Sequence, residues 1–118
     1  MSNVAEKVAG HAAICTILRN TASTINALRV AVEAVGTLFE RHTLLAVESG
    51  STDGTRQKLQ KWQRDDPTRV HLILPKGGRP HHGYWRNRYL KVVLRDSLKY
   101  EYMIVLDGDS SDRVARTY

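Results

Sequence analysis

An α/β fold with a mostly parallel sheet is predicted by three features of the sequence. Four short apolar runs recur along the chain, three stretches with helical spacing alternate with them, and the connections are short. The resulting order, β-α-β-α-β-α-β, requires crossover connections, which place parallel strands side by side with helices on the sheet faces. The expected architecture is Rossmann-like, a four-stranded sheet covered on both faces. No repeat, low-complexity tract or linker interrupts it, so residues 1–118 are read as a single domain.

The elements follow in order. Ala12 to Leu18 is an apolar run of the length and composition of a buried strand. Arg19-Asn20-Thr21 ends it. From Thr24 to Phe39, Ile25, Leu28, Val32, Val35 and Phe39 recur at spacings of three and four, one apolar helix face with Ser23 or Thr24 as its cap. Thr43 to Val47 is a second strand. Asp53 or Thr52 caps the next helix, whose core face is Thr55, Leu59 and Trp62, and Asp65-Asp66-Pro67 stops it. Val70 to Leu74 is the third strand. Pro75 to Gly83 is a loop rich in Gly, Pro and His. Tyr84 to Leu98 returns to helical spacing through Leu90, Val93, Leu94 and Leu98, and Tyr102 to Leu106 is the fourth strand, running into Asp107-Gly108-Asp109.

Composition sets the outer bounds. Eighteen Lys and Arg against twelve Asp and Glu give a net charge of +6, which favours anionic partners: nucleic acid, acidic lipid or phosphorylated small molecules. The one cysteine, Cys15, lies in an apolar run and reads as a small buried hydrophobe. The first residues lack the apolar core of a signal peptide, and no apolar run approaches the ~20 residues of a membrane helix. A cytoplasmic protein without a membrane segment is the expectation.

In open parallel sheets ligands bind beyond the carboxyl ends of the strands. The first, second and fourth strands end in Arg19-Asn20, Glu48-Ser49-Gly50 and Asp107-Gly108-Asp109, so their polar groups are expected to gather on one edge. Asp107 and Asp109 form either a turn or a pair of hard oxygen ligands for a divalent cation. Glu48 can accept hydrogen bonds from a base N–H or ribose hydroxyls. Asp53 reads first as a cap or brace, and Gly50 as backbone geometry. Arg86 and Asn87 open the third helix, where basic side chains and a helix N-terminus favour phosphate; the alternative is a solvated basic face. His81 and His82 read as loop histidines, and His11, His42 and His71 carry no signal. No GxxxxGK[ST], GxGxxG, nucleophile elbow or zinc spacing occurs.

Strand-"ILRN", strand-"ESGSTDGT", "RNRYL" opening a helix and "YMIVLDGD" stand in the order found in glycosyltransferases of the GT-A fold, and the chain resembles that family over about residues 12–109. Among its members it is most similar to the fungal capsule-associated α-1,3-mannosyltransferases. The resemblance implies a metal-dependent transferase that binds a GDP- or UDP-sugar and passes the sugar to a glycan or other hydroxyl acceptor. Nucleic acid is not an expected partner on that reading. Arg19, Asn20, Glu48, Ser49, Gly50 and Asp53 would border the nucleotide, and Arg86 and Asn87 would lie over it or its phosphates. Asp107 would hold ribose, and Asp107 with Asp109 would hold Mn²⁺ or Mg²⁺. Domains of this family normally continue past Asp-x-Asp into an acceptor half that carries the base of inverting enzymes. A fragment, a minimal form or one part of a split or oligomeric enzyme is therefore expected. Asp112 is a candidate base only by proximity. The contrasting expectation is a non-catalytic α/β module that binds nucleotide or nucleic acid through a basic surface.

Overall fold

The computed structural model describes residues 6–74, 90–95 and 99–106. These form β1 (Val8–Leu18), α1 (Ile25–Gly36), β2 (Phe39–Glu48), α2 (Thr55–Asp65), β3 (Val70–Ile73) and β4 (Tyr102–Val105), with a further helical segment over 90–95. The four strands make one sheet in the order β3-β2-β1-β4, and every neighbouring pair is parallel. The predicted α/β class and its parallel sheet are therefore what the chain adopts.

The order explains why helices cover both faces. From β1 to β2 to β3 the chain steps in one direction across the sheet, and right-handed crossovers keep both connecting helices on one side. The step to β4, on the far side of β1, reverses direction. The right-handed rule then puts the intervening helix on the opposite face. The packing agrees. Ile14, Leu18, Leu44, Ala46 and Val70 form one core with Ile25, Leu28 and Val32 of α1 and Leu59 and Trp62 of α2. Ala13, Cys15, Leu45, Val47 and Ile73 point the other way and pack with Leu90, Val92, Val93 and Tyr100. This is the two-residue period of a strand, buried on both faces. Burial pushes the Cys15 thiol up to about 12, so it stays protonated and inert.

Several element boundaries differ from the sequence expectation, most at the start of β1 and at the junction of α1 and β2. β1 begins at Val8, four residues before the apolar run, and is bulged between Val8 and His11. Gly10 makes the bulge possible. Its φ is +116°, and a side chain there would collide with the Glu101 carboxylate. Phe39 fits the α1 face by spacing, yet it starts β2, opposite Val8. α1 stops at Gly36, where the Thr37 N–H returns to Glu33 O (3.0 Å) and the Leu38 N–H to Val35 O (3.1 Å). Phe39 then turns its ring toward Tyr102 at 5.2 Å.

The strand order also fixes where a ligand site belongs. The direction of progress reverses between β1 and β4, so the crevice at the carboxyl ends of these strands is the topological switch point. No helix among the described residues is long and apolar enough to cross a membrane.

Candidate functional site

The carboxyl edge is built from the loop after β1 and the loop after β2. The sheet holds them together first. Leu18 and Glu48 are register partners, and the Ser49 N–H continues the ladder to Leu18 O at 2.8 Å. Beyond that point the backbones diverge, and side chains take over the pairing.

Asn20 leaves β1 with φ +52°, a left-handed conformation that asparagine tolerates better than most residues. Its Oδ1 accepts the Thr52 N–H at 2.8 Å, and its own N–H donates to Ser51 Oγ at 2.9 Å. Asp53 reaches back in the same way. Its Oδ2 accepts the Ala22 N–H (3.1 Å), while Oδ1 accepts both the Thr55 N–H (3.1 Å) and the Thr55 hydroxyl (2.6 Å). Thr55 Oγ1 in turn accepts the buried Thr21 N–H at 2.8 Å, and Lys58 Nζ donates to Ala22 O at 2.9 Å. The polar stretch between β2 and α2 is thus a zipper against the first loop. Gly54, at φ +96°, is the residue that turns the chain into α2, so Asp53 caps the first helical N–H from one position further out than expected.

Glu48 is the group this scaffold presents. It is 3 % exposed, and its Oε1 accepts the Ser51 N–H at 2.7 Å. Its other carboxylate oxygen takes no hydrogen bond among the described residues. That oxygen is not among the buried unpaired polar atoms, so it stays open at the edge to water or to a ligand's donor. Ser49 is buried beside it, and Gly50, at φ +73°, carries the bend above. Arg19 is exposed and makes no ion pair among the described residues. The Thr21 hydroxyl is buried at the same edge and has no partner among the described residues.

Of the residues singled out in the sequence, the structure brings together Arg19, Asn20, Glu48, Ser49, Gly50 and Asp53. Arg86, Asn87, Asp107, Asp109 and Asp112 lie outside the described residues. The Leu106 N–H bonds to Cys15 O at 2.9 Å, so β4 is still attached to β1 one residue before Asp107. Among the described residues no group of three or more His, Cys, Asp or Glu could hold a metal ion. Thr21 and Thr55 were missed as members of this edge. Spacing places Thr55 on the core face of the helix, and it does bury its side chain, but its hydroxyl serves the loop.

The zipper has a pH signature. The Thr55 hydroxyl, followed by the backbone N–H groups, holds the Asp53 carboxyl below its ordinary value. A depressed carboxylate stabilises the folded state above the unfolded pKa, and that contribution is lost as pH falls through the folded one. Asp53→Asn keeps an acceptor and removes the charge. Its urea midpoint is expected to fall less steeply than that of the parent below about pH 4. Asp65, held low by Lys61 and then Arg29, contributes acid-side slope in both proteins. Identical slopes for the two proteins would show that Asp53 does not couple to folding.

Neither a protein-family model nor a curated protein matches the chain.

Proposed function

We propose that the chain is the nucleotide-sugar-binding part of a metal-dependent glycosyltransferase of the GT-A type. It takes a GDP- or UDP-sugar as donor and serves transfer of the sugar to a glycan or other hydroxyl acceptor. The observation that carries this reading is Glu48: a nearly enclosed carboxylate at a strand's carboxyl end, beside the switch point, with one oxygen left over. Such a group suits the paired hydroxyls of a ribose or the N–H of a base.

The other roles follow from chemistry. Asn20 and Asp53 spend their polar atoms on the zipper, so they shape the floor under the nucleotide. Arg19, Arg86 and Asn87 are assigned to the diphosphate. Asp107 and Asp109, which follow β4 in the sequence, are assigned to Mn²⁺ or Mg²⁺. A divalent cation, when bound, neutralises the charge that grows on the leaving diphosphate.

Calorimetric titration of UDP- and GDP-sugars with and without Mn²⁺ tests the reading. The parent chain is expected to bind one of them only when metal is present, and the double variant D107A/D109A is expected to lose that binding. A parent chain that shows no metal-dependent binding ends the proposal. The net charge of +6 favours one other outcome: single-stranded nucleic acid bound with a steep salt dependence and indifferent to metal. That result would make the chain a non-catalytic binding module.

A further inference from the structure

The opposite end of the sheet carries a second concave feature. The start of β1, the α1–β2 turn and the residues leading into β3 enclose a cavity of about 340 Å³, lined among others by Lys7, His11, Glu40, Arg41, His42 and Arg69. Six residues of β2 separate His42 from Glu48, so this cavity lies roughly 20 Å from the carboxyl edge at about 3.3 Å per residue. It belongs to a different site from the one proposed above.

Its charge is one-sided. Lys7 and Arg41 pair with no acid among the described residues, and Arg69 has only a long contact to Asp66, 3.7 Å. The acid in the wall, Glu40, already accepts the Gly10 N–H through Oε1 (2.8 Å). Two imidazoles join these cations. His11 Nε2 lies 2.7 Å from Thr43 Oγ1, and its ring meets the Tyr100 ring edge-on at 4.9 Å. The His42 ring rests against Gly36, where an added Cβ would come within 2.5 Å of Nδ1. Gly36 thus leaves room for an imidazole at the cavity wall.

We propose that this cavity is an anion site for inorganic phosphate or a small phosphomonoester, held by Lys7, Arg41 and Arg69 with His42 as a further donor. Lys7, Arg41 and Arg69 all line one small concavity, and like charges gathered along its wall favour a doubly charged anion there. The planar forks of two arginines suit phosphate oxygens. The volume is near the lower end for small-molecule pockets, which favours a small ligand over a polymer.

The imidazoles make binding pH-dependent. Burial, then Arg41 and Lys99, pull His11 below its ordinary value; His42 adds to this and Glu101 opposes it. Burial, then Arg69, does the same to His42; Lys7 adds to it, and Asp66 and Glu33 oppose it. A bound anion favours the protonated rings. Binding therefore takes up protons and tightens as pH falls through the imidazole range.

The experiment is a titration of the whole chain with inorganic phosphate, and in parallel with glycerol phosphate, at constant ionic strength. Histidine ring signals are followed by NMR. The ring signals of His42 and His11 are expected to shift saturably. For sulfate, which stays doubly charged across this range and isolates the imidazole contribution, the apparent affinity should be about tenfold higher near pH 6 than near pH 8. K7Q and R41Q, at exposed positions, should each weaken binding about tenfold with the fold intact by circular dichroism. E48Q should leave this response unchanged, which separates failure here from failure of the donor-site reading. Tighter binding of the ester than of phosphate identifies a phosphomonoester ligand, and equal binding identifies free phosphate. The proposal is overturned by a non-saturating response, by an equal response to chloride, or by unchanged affinity in both K7Q and R41Q.

Discussion

Replacing Ile14 by alanine is expected to destabilise the protein by about 2–5 kcal/mol. Ile14 is fully buried at the middle of the central strand. It pairs in register with Leu44 on one side and Ile104 on the other, and Leu44 pairs with Val70. These four side chains make one row across all four strands, and the row packs under α1 and α2. Removing the middle of the row leaves a cavity that rigid strands on both sides cannot close, which puts the cost toward the upper part of that range. Against a typical total stability of about 5–15 kcal/mol, such a loss shifts the urea midpoint strongly. Val30→Ala is the control. Val30 is 67 % exposed on α1, and its truncation is expected to change stability by less than about 0.5 kcal/mol. Equal midpoints for I14A and the parent would mean that the sheet centre does not bear the load assigned to it.

How far these features were legible in the sequence follows from which physics each depends on. Local patterning carries the strand cores and helix faces. Leu59 and Trp62, spaced for one helix face, are both buried, and Ile25, Leu28 and Val32 are likewise. Phe39 shows where patterning fails. Its spacing from Val35 is helical, but the chain unwinds after Gly36 because residue 39 gains a parallel partner in Val8, a contact 31 positions away that no local period encodes. The bulged start of β1 has the same origin: its polar and glycine residues do not look like a strand until β2 lies beside them.

The candidate site divides along the same line. Glu48 was legible because a lone acid at the end of an apolar run breaks the pattern. The zipper of Asn20 and Asp53 was not, since it depends on Leu18 and Glu48 standing in register. Asp53 could be read as a cap from its position before α2, but its bond to Ala22 joins two loops. The amino-edge cavity was invisible. Its cations, Lys7, Arg41 and Arg69, come from three separate parts of the chain, and parallel pairing alone collects them.

Glu48→Gln is expected to weaken nucleotide-sugar binding about 10- to 100-fold while leaving the fold in place, the range set by loss of a hydrogen bond to a charged group. The amide is nearly isosteric, so it fits the enclosed site. It keeps an oxygen that can accept the Ser51 N–H, which anchors the loop in the parent. The amide nitrogen then occupies the place of the second carboxylate oxygen. There it meets ribose hydroxyls or a base N–H as a donor facing donors, so the charge is lost and the hydrogen-bond polarity is reversed. A hydroxyl can rotate to accept, which puts a ribose contact toward the lower end of the range, whereas a base N–H cannot. The size of the loss therefore distinguishes a sugar contact from a base contact. Calorimetry with GDP- and UDP-sugars in the presence of Mn²⁺, beside a urea melt of the same variant, reads both quantities. An unchanged melt with unchanged affinity would remove Glu48 from the site. A melt that falls with affinity would show that the carboxylate serves the loop, through Ser51, and not a ligand.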